Sequence, residues 1–375
     1  PFKPNGDYYV GGTDELTRHN PVQIINEQET YLDTYRYLGT FYGTVNLGQD
    51  FTFKSSISTD IGYTYDYKYY NAKHPYGTGV GRLVESNRLI QNILTENILT
   101  YNKKLKDFSI NAIAAHCLHK QKVKNSDVDE RGFPTPSLHV ISVASEIYGA
   151  SGNTSEYAME SYFGRATFAY QDKYIFTGTL RADGSSKFNP KHRWGLFPSA
   201  SIGWNASKED FLSDKNIDLK LRASYGQTGN QEGIGNYAYQ ALMLGGQNYG
   251  NVSGISVSSF GNDQLTWEKA DQYDIGFDLG LLNGRLNLIV DGYVKNTKNL
   301  LYSMPIHATT GMTSIISNIG SMQNKGIEVA INSNFNLGSV NWKSQFNIAR
   351  NKNKLTSLIG HNAPVSVGDN RALQV

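Results

Sequence analysis

The stretch FTFKSSISTDIGYTYDYKYY runs from Phe51 to Tyr70. Its odd positions read Phe51, Phe53, Ser55, Ile57, Thr59, Ile61, Tyr63, Tyr65, Tyr67 and Tyr69. Eight of those ten are apolar or aromatic, whereas none of the nine even positions from Thr52 to Lys68 is apolar. Strict alternation gives a strand one apolar and one polar face. Globular strands usually hold about five or six residues, and this pattern persists for about three times that. Phe53 to Tyr63 is ten steps, roughly 33 Å at ~3.3 Å per residue. Tilted by ~40°, it rises about 25 Å, the height of the lipid-facing band of an outer-membrane barrel. Aromatic rings favour the membrane–water boundary, being apolar at one end and wet at the other. The stretch therefore predicts a transmembrane strand, with Phe51, Phe53, Tyr63 and Tyr65 at the membrane interface. A long amphipathic strand of a soluble sandwich is the alternative at this point.

Composition agrees with many strands and turns. The 375 residues include 25 Tyr and 37 Gly but only 10 Pro, and 18% are charged. A net charge of +2 argues against a nucleic-acid surface. No run of 18 apolar residues is present, so no transmembrane helix is expected, which leaves a barrel open because its strands are half polar. The single cysteine, Cys117, allows no internal disulfide. No cofactor is called for. The chain opens at Pro1 and stops at Val375 without a terminal aromatic, and both ends are expected to be cut.

Further alternation appears at Phe108, Ile110, Ala112 and Ala114, along 162–170 and 174–182, and at Pro198, Ala200, Ile202 and Trp204. It returns at Ile217, Leu219, Leu221, Ala223 and Tyr225, then at Tyr273, Ile275, Phe277 and Leu279 ahead of Asn283-Gly284, the strongest short hairpin signal. Leu286, Leu288 and Val290 follow. Ile327, Val329, Ile331 and Phe335 face Trp342, Phe346 and Ile348 across a turn at Gly338. With weaker cases near 37–47 and 97–105, about twelve strands are expected. Short connections near 48–50, 106–107, 171–173, 207–216, 283–284 and 338 alternate with long ones near 70–96, 123–160, 183–193, 228–265 and 296–324. Outer-membrane barrels have short periplasmic turns and long extracellular loops. A soluble sandwich has no reason to place every long loop at one end. Loops beyond ~12–15 residues are usually functional or disordered, so function is expected there.

From Glu160 onward the chain resembles a known family. ESYFGRATFAYQDKYIFTGTLRADGSSKF, RWGLFPSASIGWNASKEDFL and LKLRASYGQTGNQEGIGNYAYQ are similar to the SusC/RagA family of TonB-dependent outer-membrane transporters of Bacteroidetes-type bacteria. So are LTWEKADQYDIGFDLGLLNGRLNLIVDGYVKNTKNLL and TGMTSIISNIGSMQNKGIEVAIN, in the family's order. The likeness is strong to about Asn332 and weaker over 1–159, where TENILTYNKKL resembles one family strand. The resemblance implies an all-β, antiparallel up-and-down barrel of twenty-two strands plugged by an N-terminal domain. This chain would be one partial domain over 1–375, an open half-cylinder from the middle of the barrel, without the plug, the TonB box or the last strands. It implies import of glycans or peptides through a Gram-negative outer membrane. The implied partners are a SusD-type lipoprotein lid and the TonB–ExbB–ExbD complex, reached through the missing N-terminal part. A passive porin, or a structural or adhesin-like barrel, is the alternative, and a soluble binding protein is a distant third.

DGSS at 183–186 reads as a hairpin top rather than a metal or phosphate site. GQTGN at 226–230 and GTGVG at 77–81 lack the Lys-Ser/Thr and the βα unit of a phosphate loop. DVDERG at 127–132 lacks oxygen ligands at the fifth and twelfth calcium-loop positions, Arg131 and Leu138, and reads as a solvated loop. His116 and His119 fall on opposite faces of a strand and cannot share a metal there. SKED at 207–210 belongs to a periplasmic turn. No nucleophile–base set stands out, and no enzyme is expected. Trp204 and Trp267 read as interface aromatics. The longest loop carries Asn236, Tyr237, Tyr239, Gln247 and Tyr249, aromatic faces with amide neighbours, suited to contact with a ligand or a lid. Membrane-boundary packing is the third option there.

Overall fold

The computed structural model describes residues 2–4, 6, 8, 20–213, 215–250, 252–358, 365–367 and 371–373. In chain order its strands are β1 Gln28–Leu47, β2 Phe51–Tyr70, β3 Arg82–Leu105, β4 Phe108–Arg131, β5 Glu146–Tyr170, β6 Tyr174–Ser185, β7 Trp194–Asn205 and β8 Ile217–Asn230. There follow β9 Leu242–Gly245, β10 Ile255–Ser259, β11 Glu268–Leu281, β12 Leu286–Lys298, β13 Leu301–Pro305, β14 Ser314–Asn318, β15 Ser321–Leu337, β16 Val340–Ser357, β17 Val365–Val367 and β18 Arg371–Leu373. Twelve strands form one antiparallel sheet in the order β1 to β8, β11, β12, β15, β16. The pairs β9–β10, β13–β14 and β17–β18 stand apart from it. β1 and β16 end the order and do not pair with each other among the described residues. The sheet is an open, partial barrel sheet.

Tight turns set the register. β5 and β6 pair from Tyr170–Tyr174 to Met159–Ser185. Between them Gln171 and Asp172 both take φ of +51°, and Lys173 N–H returns to the Tyr170 carbonyl at 2.9 Å. β11 and β12 pair from Leu281–Leu286 to Lys269–Lys298. Their turn holds Leu282, Asn283 and Gly284 at positive φ. The Asn-Gly signal works because both residues enter the left-handed region cheaply. The short connection after β7 contains a 3-10 turn, Ala206–Lys208, and one helical turn, Asp210–Ser213.

Several strands run further than alternation indicates. The expected loops near 70–96 and 123–160 shrink to 71–81 and 132–145, because β3 begins at Arg82, β4 continues to Arg131 and β5 begins at Glu146. DVDERG is therefore mostly the end of β4 and not a loop. Beyond the lipid band both faces are wet and alternation fades, but the backbone ladder continues. Arg82 of β3 holds Asp129 of β4 in a two-pronged ion pair at 2.8–2.9 Å.

The described residues fall into two compact units. One comprises Pro1–Phe41, Ile57–Leu94 and His119–Tyr157. Its buried centre is Tyr67, Tyr69 and Leu83, with Tyr65 and Phe133 packed against them. The other comprises Tyr42–Ser56, Thr95–Leu118 and Ala158–Val375. Its buried centre is Phe188, Phe197, Ile234, Leu265 and Trp267.

Candidate functional site

In the second unit one sheet face is apolar and uncovered. Phe168, Phe176, Leu180, Leu196, Ile202 and Ile275 are all exposed on it. A depression of about 940 Å³ on it lies against Phe168, Phe176, Ile202, Leu221 and Ile275. Almost nothing polar lines it, so it is an uncovered greasy wall and not a ligand cavity. Aromatics gather at its short-turn edge: Phe51 meets Tyr101 and Phe108 meets Tyr170, each at 4.7 Å between ring centroids. Glu209, from the short turn after β7, accepts from Tyr174 Oη at 2.6 Å, Trp204 Nε1 at 3.1 Å and Lys173 Nζ at 3.2 Å. These bonds, the one from Tyr174 first, hold its carboxyl below the usual glutamate range. Ten residues back from Trp204 on β7, Trp194 approaches Tyr162 at 6.1 Å. Tyr162 Oη donates to Glu160 at 2.7 Å, and His116 Nε2 lies 3.0 Å from the same carboxylate oxygen.

The opposite face is charged and hydrogen-bonded. Arg222 bridges Asp278 at 2.8 Å and Asp291 at 3.1 Å across three neighbouring strands. Ser224 donates to Asp274 at 3.1 Å. In the first unit Arg36 donates from Nε and one Nη to the two Asp60 oxygens at 2.8–2.9 Å. One greasy face and one wet face on the same strands is the division required of a wall between lipid and an aqueous lumen.

The long connections of the second unit share a core. Trp267 is 3% exposed. Its ring lies 5.2 Å from Phe188 and 5.5 Å edge-on from Phe197, and its Nε1 donates to the Arg193 carbonyl at 2.8 Å. Met159, Ala238, Leu301 and Ile316 close around this cluster. Trp267, expected as an interface aromatic, is instead the buried pin of the loop layer. Two asparagines staple that layer. Asn262 donates to the Ile316 carbonyl at 2.9 Å. Asn318 accepts from Thr266 N–H at 2.8 Å and donates to the carbonyls of Thr266 and Asn299 at 2.8 and 3.0 Å. Glu268 accepts from Leu301 N–H at 3.2 Å. Neither staple was found from sequence, where an Asn in a loop looks like any turn residue.

The five loop candidates separate into two groups. Asn236, Tyr237 and Tyr239 are half-buried beside Ile234 and Ala238. Gln247 and Tyr249 sit at the tip of the β9–β10 hairpin, where Tyr249 is 92% exposed. That hairpin also exposes Met243, Leu244, Val252 and Ile255. From 233 to 262 the chain carries no Asp, Glu, Lys, Arg or His.

Of the expected interface aromatics on β2, Phe51 and Phe53 belong to the second unit, and Tyr63 and Tyr65 to the first. Here Tyr63 is exposed and its hydroxyl donates to Asn87, while Tyr65 is half-buried and donates to Glu85 at 2.7 Å. Tyr67 and Tyr69 share their strand face but are buried: His139 stacks on Tyr69 at 3.9 Å, and its Nδ1 meets the Tyr67 hydroxyl. His119 packs edge-on against Tyr157 at 5.7 Å, whereas His116 bonds to Glu160. No group of three His, Cys, Asp or Glu converges as a metal site among the described residues.

The TonB dependent receptor-like β-barrel family model matches residues 2–370. TonB-dependent receptor P3 of Formosa agariphila is 34% identical over 376 aligned residues, covering 95% of this chain and 36% of that protein. TonB-dependent receptor SusC of Bacteroides thetaiotaomicron is 38% identical over 210 residues, 53% of this chain and 21% of that one. The solved structure of the RagAB peptide transporter is similar in fold, with a TM-score of 0.90 at 24% identity, over 97% of this chain and 41% of that chain. The chain thus spans about a third of the length of the curated relatives it matches along nearly all of its own. With a two-faced open barrel sheet and a family match over 2–370, the chain belongs to the TonB-dependent receptor β-barrel family and is an outer-membrane protein.

Proposed function

We propose that the protein containing this chain imports large nutrients, glycans or peptides, across the outer membrane, energised by TonB and working with a SusD-type surface lipoprotein. The observation that carries this reading is the loop layer on a barrel wall of this family: three long connections pinned by Trp267 and stapled by Asn262 and Asn318. Similarity to SusC and to the RagAB peptide transporter supports the substrate class and the lid. On this reading Gln247 and Tyr249, at the uncharged hairpin tip, contact substrate or lid, and Asn236, Tyr237 and Tyr239 shape the base beneath. Phe51, Phe53, Tyr63, Tyr65 and Trp204 serve as membrane-interface aromatics, with Glu209 orienting Trp204. The TonB–ExbB–ExbD complex would act through parts of the protein outside this chain.

Uptake of labelled oligosaccharides and peptides by cells bearing the full-length protein tests this. Import that disappears when TonB is deleted supports the reading. Import that persists without TonB favours a passive porin.

A further inference from the structure

We propose that the lipid-facing wall of the second unit carries a site for one glycolipid of the outer leaflet, with its sugar ring stacked on Trp194 and one acyl chain in a groove beneath. The groove, about 600 Å³, crosses β4, β5 and β6. Its floor is made of small residues, Ala114, Gly164 and Ala182, one from each of these strands. Phe53 and Leu99 rise on one side, Leu180 and Leu196 on the other, and all four are exposed. This face is the wall that meets lipid, so the group that fills a groove in it is an acyl chain. A floor nearly without side chains between bulky walls holds one chain in place, where a uniform surface lets it slide.

The groove leads to polar groups at the level of the membrane boundary. Trp194 is ten residues from Trp204 along β7, and Glu160 is ten residues from Tyr170 along β5. Ten residues at ~3.3 Å and ~40° tilt cover the ~25 Å lipid band. With Trp204 and Tyr170 at the short-turn rim, Trp194 and Glu160 mark the opposite rim, that of the outer leaflet. His116 lines the groove, its Nε2 3.0 Å from Glu160 Oε1 and its ring 4.8 Å from that of Tyr162. Tyr162 Oη donates to the same carboxylate oxygen at 2.7 Å, and Glu160 Oε2 has no partner among the described residues. Trp194 lies flat on the wall. It pairs with Gly184 of β6, where an added Cβ would meet the indole at 2.8–2.9 Å. One face of the ring covers the glycine and the other is turned outward, leaving the residue 49% exposed. A bare aromatic face beside a carboxylate suits a sugar. The C–H bonds of a sugar ring are slightly positive and meet the negative π-face, and its hydroxyls donate to the free oxygen of Glu160. A phosphate head would meet the Glu160 carboxylate as a like charge, and no Lys or Arg lines the groove to offset it.

The test uses the full-length protein, purified in mild detergent and incubated with glucosyl diacylglycerol, phosphatidylglycerol or plain diacylglycerol of the same chains, with bound lipid counted by native mass spectrometry. The expected result is preferential retention of the glucosyl lipid, falling about tenfold in Trp194→Leu and recovering in Trp194→Tyr. Gly164→Leu fills the floor of the groove, and the strand accepts it, since a Cβ there meets only the Ile113 carbonyl, at an ordinary 3.8 Å. It should cut retention about tenfold as well. The heat-modified gel mobility of each variant reports an intact barrel. Equal retention of the three lipids, or full retention by Trp194→Leu and Gly164→Leu, overturns the proposal. Loss of a bound protein or second copy in Gly164→Leu, with lipid retention unchanged, overturns it in favour of a protein contact.

Discussion

Trp267→Ala should loosen the loop layer and leave the barrel wall standing. The ring packs against Phe188 and Phe197 and shares with Ile234 and Leu265 a buried cluster with almost no solvent. Truncating a fully buried Trp costs about 3–5 kcal/mol. Trp267→Phe keeps most of the filling but removes the donor to the Arg193 carbonyl, for about 1–3 kcal/mol. Every ~1.4 kcal/mol is tenfold in an opening equilibrium. Hydrogen exchange on the full-length protein in nanodiscs should therefore speed up roughly a hundredfold or more for Trp267→Ala, up to the local stability of the layer. The amides to follow are those the layer holds, Thr266 N–H on Asn318 and Leu301 N–H on Glu268. Trp267→Phe should give about a tenfold effect at the same amides. Unchanged exchange there, with altered detergent extraction or barrel melting, would return Trp267 to the membrane boundary where its sequence position suggested it.

Ile57→Arg should destabilise the inserted barrel by about 2–4 kcal/mol near the bilayer midplane, because Ile57 is exposed on the apolar face of β2; an equal loss from Ser58→Arg, one residue on and facing the other way, would refute the facing. An epitope inserted beside Gln247 should be reached by antibody on whole cells, and one beside Asn283 only after the outer membrane is permeabilised; the reverse pattern inverts the topology. The Glu209 clamp has a depressed carboxyl pKa, so it is present above the ordinary glutamate range and is lost as pH falls through the lowered value. Trp204 fluorescence should thus hold steady from neutral pH through the ordinary glutamate range and shift only below it, and Glu209→Gln should abolish that transition.

The sheet was legible because its strands answer to two solvents at once. Residues 51–63 alternate since lipid accepts only one kind of side chain and the lumen tolerates the other. Turn chemistry then fixed partners, as at Gln171-Asp172 and Asn283-Gly284. Where the strand leaves lipid, that constraint vanishes and so does the signal. Residues 125–131 look like loop by composition yet continue β4, held by the Arg82–Asp129 pair to a residue 47 positions away. Tyr67 and Tyr69 keep the alternation but not its meaning: they are buried by His139, not bathed in lipid. A period of two shows which residues share a face and is silent about what covers that face.

The loop layer was less legible for a related reason. Its core draws Phe188, Ile234, Leu265 and Ile316 from three connections, each contributing one or two apolar residues to no local period. Pattern reading needs a repeat, and a core assembled from single residues has none. The aromatic at 267 therefore looked identical to the one at 204, since both are Trp at a strand boundary. What separates them lies far away in sequence. Trp204 meets a carboxylate five residues on, in its own turn, and stays at the sheet's rim. Trp267 meets a carbonyl 74 residues back and is enclosed by other loops. The polar partner of Trp204 lies in the turn that follows its own strand, whereas Trp267 finds its partner in another connection. That difference in partner separation, and not residue type or position on the strand, assigns each Trp its role.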